Sequence, residues 1–236
     1  MNHPPGLART VVASASHVEV GIMGHRAPLA AHAVDEGGAL LFSLGEAAPE
    51  CAHLVRPGTS GPVVHAVATD VSGVAHAGRV RGRVTLSGRA EVLADPVDVG
   101  LRAHLGLAER SLVARLEPTE VTLEWSVESG RTARPAVDVD PGDYAAAEPD
   151  PLAGWADGWL VHLDSAHRDS LRELVVDAVQ PVAVIRPVHA DADGIVLREH
   201  VGVSRRDIRV PFPRAVRCGC EAIQALRVLI SVGTLG

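Results

Sequence analysis

Residues 162–169 set two histidines, two aspartates and an arginine within eight positions: His162, Asp164, His167, Arg168 and Asp169. Imidazoles beside carboxylates can ligate a metal or haem iron, or pass a proton. Their spacing limits these uses. His162 and His167 are five apart, about 140° of rotation on a helix, so a continuous helix would not put them on one face. Metal-binding histidine pairs normally sit four apart. Asp164 or Ser165 can cap a helix that carries Leu171, Leu174, Val175, Ala178 and Val179 on one buried face. His162 would then precede the helix and His167 would occupy its first turn. Two readings follow: a helix-start network at a domain junction, or a cofactor ligand. Arg209, next to Pro211-Phe212-Pro213, is expected to pair with an acidic group of that network.

The elements around this stretch divide the chain in two. Residues 6–17 suit a short helix. Residues 18–23 read as a strand, 24–26 as a turn, and 35–38 as a second turn before a strand at 39–44. A helix is expected over 46–55 and a strand over 61–69. Residues 80–92 alternate, with Val80, Val84, Leu86 and Val92 apolar and Arg81, Arg83, Thr85, Ser87, Arg89 and Glu91 polar, the pattern of a strand with one wet face. Gly82 and Gly88 within it suggest bulges or close backbone approach. Residues 95–109 are helix-compatible. Strands follow at 111–116 and 121–126, with Glu117-Pro118 expected to interrupt them. Residues 129–152 hold prolines among Asp, Gly and Ala and read as a connection, with one helical turn near 143–148. The second half reads helix, strands (182–188, 195–198, 206–210), helix (221–231).

Composition bounds the function. The 236 residues suffice for one large or two ordinary domains. Hydrophobic content of 47% can build cores, but with 3% aromatics those cores are Val, Leu and Ala. The chain contains no lysine, which excludes a Schiff-base lysine and a phosphate-loop Gly-Lys-Ser/Thr signature. A net charge of -7 argues against broad nucleic-acid binding. Three cysteines (Cys51, Cys218, Cys220) do not form a secreted disulfide framework, and Cys218-Gly219-Cys220 lacks the second ligand pair of a zinc site. The opening residues lack a basic region followed by an apolar run, and no apolar stretch is long enough to span a bilayer, so a cytoplasmic protein is expected. His25, Arg26 and His32 could line a cleft of the first half.

Several segments together carry a family resemblance. Residues 162–171 look like a His-Met-Asn-x-Asp-His-x-Asp-Ala-Leu helix start. Asp193-Gly194-Ile195 looks like a shortened Asp-x-x-Gly-Phe turn. Residues 209–216, Arg-Val-Pro-Phe-Pro-Arg-Ala-Val, look like Arg-(Ile/Val)-Pro-Phe-Pro-Arg-Pro-Val. In the first half, residues 82–91 and 116–123 look like split-barrel strands, and 144–152 resembles the usual lead-in to the second domain. The chain thus resembles the pyridoxamine-phosphate-oxidase-like proteins that join an FMN-binding-like split β-barrel to a small domain of unknown function, a group that includes HugZ-type haem oxygenases.

The resemblance implies an α+β fold: a split β-barrel over 1–130, a linker over 131–152 and a C-terminal α+β domain over 153–236. It implies a homodimer with haem or flavin at the interface. It also implies a haem- or flavin-related oxidoreductase-like activity, with a non-catalytic binding or regulatory protein on the same scaffold as the alternative. The residues expected to bind a cofactor are Arg26, His162, His167 and Arg209; no metal site, nucleic acid or membrane partner is expected. Two departures matter. The lysine of the family's phosphate grip is absent and acidic residues stand near, which sets flavin mononucleotide in doubt. The family's iron-binding histidine near the C-terminus has no counterpart, since the last histidine is His200.

Overall fold

The computed structural model of the protein describes residues 3–44, 61–93, 97–107, 111–128, 136–175 and 178–233. The helix expected over 46–55, with Cys51, lies outside the described residues. Helix α1 (Pro4–Ser14) opens the chain, beginning two residues before the expected start because Pro4 and Pro5 occupy its first positions, where a missing N–H is harmless. It buries Leu7, Ala8, Val11 and Val12.

Eight strands form one antiparallel, curled sheet: β1 (His17–Ile22), β2 (His25–Pro28), β3 (His32–Val34), β4 (Leu40–Leu44), β5 (Val63–Val71), β6 (Val80–Val92), β7 (Leu112–Trp125) and β8 (Val137–Val139). Their order is β2-β1-β5-β6-β7-β4-β3, with β8 added on β7. The turn expected at 24–26 falls one residue earlier. Met23 (φ 50°) and Gly24 (φ 88°) both take the left-handed conformation of a two-residue hairpin turn, which places His25 and Arg26 in β2. The break expected at Glu117-Pro118 is instead a bulge within one long strand. The register steps from Ser87↔Glu120 to Gly88↔Pro118, leaving an extra residue on β7. A proline is tolerated there because a bulge does not need its N–H. Gly88 makes the close approach possible: a Cβ on it would lie 1.9 Å from the Glu117 carbonyl oxygen.

Between β6 and β7, helix α2 (Val99–His104) is shorter than the expected 95–109; Asp98 caps it through Leu101 N–H at 3.0 Å. Within the expected connection over 131–152, β8 pairs with β7 and helix α3 (Pro141–Ala146), capped by Asp140, inserts Tyr144 into the barrel core. Arg9 lies over the Tyr144 ring and donates to the carbonyls of Ala147, Asp35 and Glu36. Burial pushes the Tyr144 phenol up to about 12.

The remaining elements are α4 (Ala156–Ala166), α5 (Arg168–Glu173), β9 (Val184–Asp191), β10 (Gly194–Val201), β11 (Ser204–Pro211) and α6 (Gly219–Gly233). The three strands form an antiparallel meander, β11-β10-β9. One hydrophobic cluster fills the barrel, built from residues such as Val20, Phe42, Val64, Leu86, Leu116 and Leu123. A second joins α4–α6 to one face of the small sheet through Leu160, Leu163, Leu171, Ile195, Leu197, Phe212 and Leu226. The clusters interlock: Val188 and Val196 of the small sheet pack into the barrel cluster, while Val74, from the β5–β6 connection, packs into the other. Among the described residues, no helix is long and apolar enough to cross a membrane.

Candidate functional site

The opening stretch has a different form from the one its spacing predicts. Asp164 is not a helix cap. It lies inside α4, and its carboxylate accepts from Arg186 (2.6 Å) and Arg168 (3.1 Å). The helix breaks at His167 (φ -132°, ψ 25°), which closes α4 and opens α5. Because the helix is broken, the 140° rotation does not apply, and the rings of His162 and His167 meet edge to face with centroids 5.1 Å apart. Both are exposed. Arg209 does not join them. Its guanidinium bridges Asp191 (2.8 and 2.9 Å) and Glu128 (2.8 and 2.7 Å). The structure therefore brings His162 and His167 together and leaves Arg209 and Arg26 elsewhere.

Arg209 belongs to a charged seam that joins the barrel to the small sheet. Arg81 of β6 chelates Asp70 (2.9 and 2.5 Å), donates to the Val188 carbonyl (3.2 Å) and meets Asp157 of α4 at 2.9 Å. Arg198 of β10 pairs with Asp207 (2.6 and 2.9 Å) and reaches the Gly78 carbonyl. Asp207 in turn accepts from Glu128 N–H. Sequence alternation puts Arg81 on the wet face. The register instead passes from Asp70↔Gly82 to Val71↔Val80, so Arg81 is the extra residue of a bulge that turns it into the seam, 8% exposed.

The seam's electrostatics follow from this pairing. Burial alone would raise the Asp191 carboxyl, but its hydrogen bonds to His189 and Arg209 outweigh that and hold it well below the usual carboxylate range. Asp207 is likewise lowered, with Arg198 outweighing burial. Hydrogen bonding to Glu128 and Asp191 raises Arg209 against its burial. His76 and His200 close one end of the seam, ring centroids 5.8 Å apart, and burial lowers both. Beside the seam lies a cavity of ≈ 80 Å³, lined by Ser14, Asp70, Arg81, Trp125, Asp150 and His189 among others. It can hold a few waters; sites for organic cofactors run to roughly 300–1,000 Å³. Around it Asp70 pairs with Arg81, and Asp150 accepts from the N–H groups of Leu152 and Ala192.

The outer face of the barrel sheet is different. Register puts Arg26, Gly21, His65, Ser87 and Glu120 on one line across β2, β1, β5, β6 and β7. Residues directly opposite one another share a face, and this one is opposite the buried Val20, Val64 and Leu86. His65 Nδ1 contacts Ser87 Oγ at 2.9 Å, which orients the ring and leaves Nε2 free of that bond. His65 is exposed, and Val63 and Val67 flank it on the same side of β5. Gly21 offers no side chain between His65 and Arg26, so the floor is flat there. Arg26 is 79% exposed, with Glu19 at 3.5 Å. His32 Nε2 donates to the Val12 carbonyl, which holds that ring against α1.

No protein-family model and no curated protein matches the chain. A solved heme binding protein from Mycobacterium smegmatis aligns with 100% of this chain and 99% of its own, at 20% identity and a TM-score of 0.61. The fold is a split β-barrel. An FAD binding protein from Mycobacterium smegmatis aligns with 52% of this chain and 94% of its own at 15% identity (TM-score 0.35). PhzG from Burkholderia lata 383 aligns with 86% and 83% at 13% identity (TM-score 0.29). Within this split barrel, the sequence singled out Arg26 and not His65 or Ser87. Neither sits in a motif; only strand register puts them beside Arg26. Among the described residues, no group of three or more His, Cys, Asp or Glu is placed to hold a metal ion.

Proposed function

We propose that this protein binds haem on the outer face of its half-barrel, with His65 as iron ligand and Arg26 against a propionate. The row Arg26–Gly21–His65–Ser87 carries the reading. Haem is an apolar disc with carboxylates at one edge and iron at its centre. A ring-oriented imidazole between two valines, a side-chain-free strip and an arginine two strands away, roughly 10 Å, match those parts. The full-length likeness to a heme binding protein supports the choice of ligand. The ≈ 80 Å³ cavity of the seam does not fit such a group.

One sheet face covers one side of a porphyrin, so a second copy of the chain covers the other, giving a homodimer. Bound haem supplies the redox chemistry. His65 Nε2 would hold the iron, Ser87 would fix that ring, and Arg26 would pair with a carboxylate. On this reading Arg209 is a structural residue, since Asp191 and Glu128 occupy its guanidinium, and the small α+β unit, which resembles the second domain of HugZ-type proteins, braces the barrel. A flavin phosphate needs several donors for its double charge, and this row offers it Arg26 alone.

Haemin titration of the full-length chain is the test. The expected result is a saturable Soret change with one haem per chain, half-complete at about 1 µM or below, and a loaded species that sediments as a dimer. Absence of saturation, or tighter binding of flavin mononucleotide than of haemin, overturns the reading.

A further inference from the structure

Cys218 and Cys220 flank Gly219 where the chain enters α6. Ala222 N–H donates to the Cys218 carbonyl (3.1 Å), which puts Cys218 at the cap position, and Glu221 reaches back to Arg217 N–H at 2.9 Å. Glu221 thus ties down the residue before the cap rather than the cap's own N–H, a relative of the capping box with a sulfur at the cap position. The segment is clamped from above. A Cβ on Gly219 would lie 2.4 Å from the Trp155 ring, which stacks on Trp159 at 5.0 Å. Cys220 is exposed, Cys218 half-exposed, and neither is in a disulfide. Cα atoms two residues apart at a helix start are about 5.4 Å apart, inside the 4.4–6.8 Å range of disulfides.

We propose that Cys218 and Cys220 are a redox-active dithiol that reduces low-molecular-weight disulfides, with Cys218 attacking and Cys220 resolving. The two sulfurs have unequal surroundings. Cys220 S–H and the Glu221 amide both point at the Cys218 sulfur and lower its pKa, while the same contact raises Cys220. The Cys218 thiolate attacks one sulfur of R–S–S–R′, forming a Cys218–S–S–R mixed disulfide and expelling R′–S⁻. Cys220 then attacks the Cys218 sulfur, closing the Cys218–Cys220 disulfide and expelling R–S⁻. The protons of the two protein thiols go to the leaving thiolates, so two electrons and two protons pass from the protein to one external disulfide. Closing the ring draws the Cys218 sulfur away from the Glu221 amide, so oxidation loosens the first turn of α6, which anchors Ala222 and Leu226 in the second hydrophobic cluster.

The test uses the full chain carrying Cys51→Ser and glutathione disulfide as probe, followed by intact mass. The expected result is loss of two hydrogens from the chain and release of two glutathione thiols. Adding Cys220→Ser stops the reaction with one glutathione on Cys218. Adding Cys218→Ser, which keeps a competent helix cap, slows the reaction at least ten-fold. Stable glutathionylation of both cysteines with no internal disulfide, or equal rates for the two single-thiol chains, overturns the proposal.

Discussion

Replacing Arg81 with methionine is expected to destabilise the protein by about 3–5 kcal/mol, the cost of leaving a buried charge without its partner. Asp70, 6% exposed, would lose both hydrogen bonds of a bidentate pair, and Asp157 and the Val188 carbonyl would each lose one. Lysine cannot substitute, because a single ammonium does not match the two oxygens of Asp70 in the same fork. The double variant Arg81→Met/Asp70→Leu should recover a large part of the loss, since it removes the stranded carboxylate as well as its partner. Urea unfolding of the three chains checks this. A loss below about 1 kcal/mol for Arg81→Met would mean that the seam is a surface pairing.

Arg209→Met should cost somewhat less, roughly 3 kcal/mol, because Glu128 is partly exposed whereas Asp191 is 1% exposed. Its signature is a changed acid response. In the folded wild type the Asp191 carboxyl titrates below its ordinary value, so its stabilisation is complete above about pH 4 and is lost as pH falls towards the lower folded-state value. Without Arg209 that depression shrinks, and the variant should lose less stability than wild type between about pH 4 and 2. Asp150 works with the opposite sign, since burial raises its carboxyl. It is present in both chains, so it cancels from the difference. Urea midpoints across that range measure the two slopes; parallel slopes would show that Arg209 does not hold Asp191 down.

Much of the architecture could be read from period and punctuation. The alternation over 80–92 is β6, the Asp35–Gly38 turn closes on Gly38 N–H to the Asp35 carbonyl, and the helix–strands–helix order of the second half is present. The errors have one physical source: periodicity assumes unbroken elements. The helix break at His167 brings together two imidazoles that a continuous helix separates. A bulge turns Arg81 inward from a position that alternation assigns to solvent. Pro118 is carried through a strand by a second bulge opposite Gly88. The candidate haem face was least legible, because Arg26, His65 and Ser87 lie 39 and 22 positions apart in sequence and become neighbours only through strand register.

His65 is where the proposed function is most exposed to failure. The direct measurement is the absorption spectrum of haemin-loaded wild type, His65→Ala, and the double variant His162→Ala/His167→Ala, each with and without free imidazole. Loss of the histidine-ligated spectrum in His65→Ala alone, restored by imidazole filling the vacated position, is the expected result. An unchanged spectrum in His65→Ala, with loss in the His162/His167 variant, would contradict it and move the iron to the α4–α5 joint.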